Sequence, residues 1–393
     1  MSLTELSAIS RLYGADPDYV IAGGGNTSFK DDTTPVSKGT PGSKGTLWIK
    51  GSGVSLGEIT PEGFVAMDRG KLAAIWQLSA STAGTPAERE AAVLAEMLAA
   101  RKPGEEHKRP SVETLLHDLL PFAYVVHTHP SLVNGLGCSR DGEQSVRKLF
   151  GEEAVWIPIS DPGFVLAALV KETFAKGGFF DGPAKKSVFF FLQNHGIFVG
   201  ANTTDEIKSL YRTIMDTIGR NIKRFPDFGG ALHGNVSDIA AGTDALPGLA
   251  EAAAELQKIS GGAVVFARNN EFARLVESRA AFAPVSSAFT PDHIVYAGSD
   301  PLFIEKGENR EKAWKAHTER TGRPPKIAAL QGLGIFGLGA SEKNAALAVE
   351  LFTDAVKVAV YAESFGGPRF MTPEKIAFIN NWEAEQYRAK QVR

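Results

Sequence analysis

The chain is almost without cysteine. A single one, Cys138, among 393 residues excludes an internal disulfide framework and any cysteine-rich zinc site, and it reads as a packing or surface thiol. Long apolar runs are missing too: none reaches the roughly 20 residues that span a bilayer. Neither sign of charge dominates. The formal net charge is -3, with both signs mixed among the 22% of charged residues, so neither nucleic acid nor a membrane surface is an expected partner. The opening MSLTELSAIS has no basic segment followed by an apolar stretch; no secretory leader is expected, and a cytoplasmic protein is. What is present is a hydrophobic fraction of 43%, that of a globular protein, at a length that favours two domains over one core.

Helical and strand patterns alternate along the chain, which points to an α/β or α+β architecture. The segment Asp18 to Ala22 reads as a strand entering the turn Gly23 to Ser28, and Thr46 to Lys50 as a strand entering Gly51-Ser52-Gly53. Between them, Asp31 to Gly45 reads as an exposed loop or hairpin. Thr85 to Ala100 reads as helical, and Ser111 as the opening of a short helix with Glu113 in its first turn, where the helix dipole favours negative charge. Two apolar strands follow, Ala123 to Val126 before His127 and Ser187 to Leu192 before His195. An amphipathic helix is expected from Asp205 to Arg224, capped by Thr204. Phe228 to Gly248 is rich in Gly, Ala, Asp and Ser and is the best linker candidate. This divides the chain into a larger first part (1–228), a linker (229–260) and a smaller α/β part (261–393).

The last part has strand-like segments at Gly262 to Phe266, Lys326 to Leu330 and around TPDHIVYAG, and a long helix containing Ala345 to Val360. It also carries an echo. Leu192-Gln193-Asn194-His195-Gly196-Ile197-Phe198 resembles Leu330-Gln331-Gly332-Leu333-Gly334-Ile335-Phe336, with Leu333 in place of His195. Two strands solving the same packing problem would give such a match, and so would a degenerate second copy without the histidine.

Three of the eight histidines stand out by context. His127-Thr128-His129 ends an apolar strand, and side chains at i and i+2 project from one face. His195 follows a second apolar strand, from which it can complete a three-imidazole site with coordination positions left open, as a catalytic zinc requires. His117 lies four residues after Glu113 and shares its helix face. His107 and His317 sit in charged segments and read as solvent-facing; His233 and His293 read as structural.

These segments together carry a resemblance. The strand with HTHP, the FLQNHG segment, the GGGNTS turn, the KGSG turn and PSVE before the histidines look like the class II aldolase/adducin superfamily over roughly residues 15 to 225. Its sugar-phosphate members include fuculose-1-phosphate and rhamnulose-1-phosphate aldolases. The remainder resembles the aldolase portion of bifunctional rhamnulose-1-phosphate aldolase/alcohol dehydrogenase proteins, without a counterpart of the dehydrogenase portion. The resemblance implies a central β-sheet flanked by helices, a divalent ion (usually zinc) on His127, His129 and His195, and Glu113 as the catalytic carboxylate. It puts phosphate binding on Gly25, Asn26, Ser52, Gly53 and Ser111. It also implies a homo-oligomer, commonly a tetramer. Glu113 precedes His127 by 14 residues, fewer than in the small fuculose-type aldolases, and IPISDPG lacks the tyrosine often found at that strand end.

The chemistry fits these residue types. Retro-aldol cleavage leaves negative charge on the three-carbon fragment, which a divalent Lewis acid stabilises, and a carboxylate such as Glu113 serves as base in the synthetic direction. Small-residue turns bare N–H groups to a phosphate. No lysine sits in an apolar strand comparable to those that carry the histidines, which argues against a Schiff-base aldolase. The expected function is cleavage of a ketose 1-phosphate; the alternatives are an epimerase or decarboxylase using the same site, and a non-catalytic adducin-like assembly protein.

Overall fold

The computed structural model describes residues 2–31, 45–81, 86–180, 187–236, 246–384 and 387. The chain forms two compact units, Met1–Gly137 with Glu143–Arg220, and Cys138–Gly142 with Asn221–Arg393. No described helix is long and apolar enough to cross a membrane.

The first unit is built on seven strands: β1 (Asn26–Lys30), β2 (Thr46–Lys50), β3 (Phe64–Asp68), β4 (Tyr124–Thr128), β5 (Ala154–Ile157), β6 (Ser187–Leu192) and β7 (Gly196–Ala201). Their order is β3-β2-β1-β4-β7-β6-β5, antiparallel except where β5 runs parallel to β6. One face carries Ile49, Val65, Val125, Phe190 and Phe198, and packs on α2 (Arg69–Ser81), α3 (Pro86–Ala99), α4 (Thr114–Leu119) and α7 (Phe164–Lys176). The opposite face presents Tyr124 and Thr128. The Tyr124 hydroxyl meets Glu5 of α1 (Leu3–Gly14), and Thr128 meets Tyr211 of α8 (Thr204–Gly219). Alternation along β4 therefore aims His127 at the α4 face.

The second unit has a five-stranded sheet of β8 (Leu232–Asn235), β9 (Ala263–Arg268), β10 (Leu302–Ile304), β11 (Ile327–Leu330) and β12 (Gly334–Gly339), ordered β10-β11-β12-β9-β8. This order repeats β5-β6-β7-β4-β1. The registers repeat as well: His127 faces Phe198 across β4 and β7, and Phe266 faces Phe336 across β9 and β12. The two hairpins close on Leu192↔Gly196 and Leu330↔Gly334, each next to a parallel strand. Each turn holds one residue in the left-handed region, Asn194 at φ 57° and Gly332 at φ 78°. Each hairpin then enters a helix, α8 or Glu342–Ala362. A shared packing solution would reproduce one hairpin. It would not reproduce five strands in order and register, and the structure favours the degenerate second copy.

Several expectations are corrected. The linker residues 229–260 instead supply β8 and the helix Leu249–Ser260, which packs its apolar stripe into the second core; residues 237–245 lie outside the described residues. The boundary falls near Arg220. Asp18 to Ala22 is a turn, because the N–H groups of Tyr19 and Val20 return to the Asp16 carbonyl. α8 is capped by Thr203, not Thr204, through a reciprocal capping box with Glu206. The strand expected at TPDHIVYAG is a π-helix, His293–Ala297. His317 is buried, its Nε2–H donating to the Asp300 carbonyl at 2.9 Å. Cys138 is buried. Most of the loop expected at Asp31 to Gly45 lies outside the described residues.

Candidate metal centre

His127 lies inside β4 with its ring stacked on Phe198, centroids 4.1 Å apart at 13°. Its Nδ1 is 2.9 Å from the Ile197 carbonyl. A carbonyl only accepts, so Nδ1 carries the proton and Nε2 keeps its lone pair. His129 follows the end of β4, where its N–H donates to the Tyr19 carbonyl at 3.0 Å. His195 is the last residue of the turn between β6 and β7. The three rings converge at centroid separations of 4.7, 5.0 and 5.1 Å, and one nitrogen from each lies within 4.8 Å of the others. The Nε2 atoms of His127 and His129 are 2.9 Å apart. Such a convergence of imidazole nitrogens suits a cation between them. Among the described residues no other group of this kind is found.

Two glycines make the convergence possible. A Cβ on Gly196 would stand 2.5 Å from the Thr128 oxygen and 2.7 Å from His129 Cδ2. Gly25, at φ +62°, brings the first turn against the strand, where a Cβ would be 2.7 Å from the His127 oxygen.

Glu113 is the N-cap residue of α4 rather than part of its first turn. It is buried. Its Oε2 accepts from Asn26 Nδ2 at 2.7 Å and lies 3.4 Å from His127 Nε2. Its Oε1 lies 3.8 Å from His195 Nε2 and has no hydrogen-bond partner among the described residues. A buried carboxylate oxygen without a donor is costly, and facing three imidazoles it fits a proton or a cation.

Behind Glu113 stands His117. Its Nε2–H donates to Asn26 Oδ1, and its Nδ1 accepts from the Ser28 hydroxyl at 2.7 Å. Burial first, then the Lys30 charge and His127, hold its pKa well below the usual histidine value, so the ring is neutral. The pair fixes the orientation of Asn26, since a flipped amide would turn its oxygen towards the Glu113 carboxylate. Below this lies a buried Arg69–Asp118 ion pair at 2.5 Å. Beside it, Lys30 donates to the His117 carbonyl, and burial pushes its pKa down to about 7 against the pull of Asp118. Lys30 is buried in a mostly polar strand, Asn26–Lys30, and its ammonium is held by the His117 backbone.

The three small-residue turns do come together. Lys50 Nζ donates to the Gly23 carbonyl at 3.1 Å, and the Ser111 N–H donates to the Lys50 carbonyl at 3.1 Å. The Ser52 N–H is taken by the Arg109 carbonyl at 2.7 Å, and Ser111 Oγ accepts from the Glu113 N–H at 3.3 Å. The amides of Ser52 and Ser111 are thus committed within the fold, and Asn26 is committed to Glu113 and His117.

In the second unit the repeat puts Phe266, Arg268 and Leu333 at the places of His127, His129 and His195. Gly234 stands opposite Phe266 where Asn26 stands opposite His127. The Arg268 guanidinium donates to the Gly332 carbonyl at 3.0 Å and to the Leu333 carbonyl.

Comparison with known proteins decides the family. Residues 4–218 match the model for the Class II Aldolase and Adducin N-terminal domain. The chain belongs to the class II aldolase and adducin family. It is 24% identical over 422 aligned positions to a Bacillus subtilis (strain 168) protein named Uncharacterized oxidoreductase YuxG, covering 98% of this chain and 58% of that protein. The chain thus spans little more than half the length of this curated relative. Among solved structures, the N-terminal class II aldolase domain of a conserved protein from Thermoplasma acidophilum is 25% identical at a TM-score of 0.44, covering 56% of this chain and 93% of that one. An L-fuculose-1-phosphate aldolase from Thermus thermophilus is 17% identical at a TM-score of 0.32, covering 55% and 92%. Class II aldolases typically use a divalent metal, and the histidine triad is a place where one can bind.

The spacing of the sequence marks the three histidines and Glu113. It does not mark Asn26 as the partner of Glu113, because that contact joins residues 87 positions apart. The four-residue spacing of Glu113 and His117 put the two near one another, but not the Asn26 side chain that joins them.

Proposed function

We propose that this chain is a divalent-metal-dependent aldolase, with zinc the expected ion, cleaving a ketose 1-phosphate into a three-carbon fragment and an aldehyde. The observation that carries the reading is Glu113, buried beside three converging imidazoles with one oxygen held and the other unpartnered. His127, His129 and His195 would hold the ion, which when bound supplies Lewis acidity towards the substrate carbonyl and hydroxyl. Glu113 moves the proton. In the synthetic direction its Oε1 takes the proton from the carbon beside the carbonyl. In cleavage the hydroxyl of the carbon that becomes the aldehyde loses its proton to solvent, the electron pair of the broken carbon–carbon bond stays on the three-carbon fragment, and protonated Glu113 returns a proton there. Asn26, held by His117, keeps Oε2 occupied so that Oε1 is the reactive oxygen. Gly25, Asn26, Ser52, Gly53 and Ser111 are proposed to face the phosphate. With two of those amides committed internally, charge from Lys50 and the serine hydroxyls would carry most of the binding. The active form is proposed to be a homo-oligomer.

The test is incubation of the purified protein, with zinc, against rhamnulose and fuculose 1-phosphates with product analysis. A three-carbon phosphate plus an aldehyde is the expected result. An isomeric sugar phosphate or carbon dioxide would replace this reading with epimerisation or decarboxylation, and no turnover with full metal content would favour an assembly role.

A further inference from the structure

The second unit contains a cavity of about 750 Å³, within the range of small-molecule sites. It is no relic of a metal centre. Its walls include Gly262 just before β9, Lys326 just before β11 and Gly339 at the end of β12, the end of the sheet opposite the turn that carries Leu333. The π-helix His293–Ala297 forms another wall. Such helices are rare and concentrate at functional sites. This one is anchored by a buried contact of His293 Nε2 with Asp354 at 2.8 Å.

The cavity's charge is one-sided. Lys326 donates to the Val295 carbonyl and Arg323 to the Asn380 carbonyl at 2.9 Å, both uncharged partners. The acid on the wall, Asp300, is already engaged by Arg320 at 3.3 Å and by the Ser299 hydroxyl. Tyr296 and Trp314 add aromatic surface. We propose that this cavity binds a small organic anion, a carboxylate or phosphate monoester with a planar or apolar body, held by Lys326 and Arg323 against Tyr296 and Trp314.

The experiment is calorimetric titration of the full-length protein with phenyl phosphate, benzoate and neutral benzyl alcohol, paired with hydrogen exchange. One or both anions should bind and slow exchange in residues 294–300 and 321–327, a map that separates this cavity from the histidine triad. Which anion binds distinguishes the phosphate from the carboxylate source. Lys326→Glu and Arg323→Glu should each weaken binding at least tenfold, and Lys326→Arg should preserve it; Lys326→Met serves if the charge reversal unfolds the protein. The proposal is overturned if neither anion binds at millimolar concentration, if benzyl alcohol binds equally well, or if protection falls elsewhere.

Discussion

The two sheets share strand order, register and hairpin geometry, yet only one gathers the groups for chemistry. Where β4 and the first hairpin bring three imidazoles together, β9 and the second hairpin bring Phe266, Arg268 and Leu333. In the first unit the hairpin sits beside a cluster of three histidines. In the second a fixed guanidinium bonds the carbonyls of the turn. The scaffold is therefore separable from the site. Backbone pairing and a left-handed turn residue build the hairpin, and a handful of side chains decide which groups gather beside it.

The largest break in the comparison should come from the histidines. Replacing His127, His129 or His195 by Ala is expected to abolish tight metal binding, because each supplies one bond, while Phe266→Ala leaves metal content unchanged. Elemental analysis of the purified variants checks this; full occupancy in all three histidine variants would end the assignment. Glu113→Gln should keep its metal but lose about 10²- to 10⁴-fold in turnover, the usual worth of a general base. Single-turnover kinetics alongside metal analysis measures both, and undiminished turnover would place the base elsewhere.

His117 tests whether support of the carboxylate matters. His117→Phe removes the donor to Asn26 and should lower kcat roughly 10- to 100-fold with the metal retained, and its pH–rate profile should shift because Asn26 no longer fixes Glu113. Unchanged kcat and an unchanged profile would reduce His117 to packing. On the stability side, Phe266→Ala should cost about 3–5 kcal/mol by denaturant unfolding without touching turnover, provided the activity is read at a temperature where the variant is folded. Phe198→Ala should cost both stability and metal, since its ring backs His127.

The smallest effect is one of pH. Lys30 titrates near 7 in the folded protein, below its value in an unfolded chain. The unfolded state thus binds more protons between pH ~7 and ~10.5, and this group makes stability rise with pH across that window. Lys30→Met should flatten the rise, which urea unfolding at pH 7 and 9 would show. A slope identical to that of the parent would mean that Lys30 titrates normally.

By itself the sequence determined most of the first unit's elements and marked the three histidines. Alternation in Tyr124 to Thr128, the i and i+2 histidines, the apolar run Ser187 to Leu192 and the stripe of α8 are local patterns, and strands and helices follow from local periodicity. The FLQNHG and LQGLGIF segments also made a second copy legible as one of two readings. Tertiary structure decided what joins distant positions. It paired Asn26 with Glu113, seated His117 behind them, buried Lys30 and His317, and turned the linker candidate Phe228 to Gly248 partly into a sheet strand. It also decided between the two readings of the echo, since strand order and register are set by pairing across the sheet. A short composition-biased segment such as Leu232 to Asn235 becomes a strand only because β9 offers it an edge, and no residue within it records that partner.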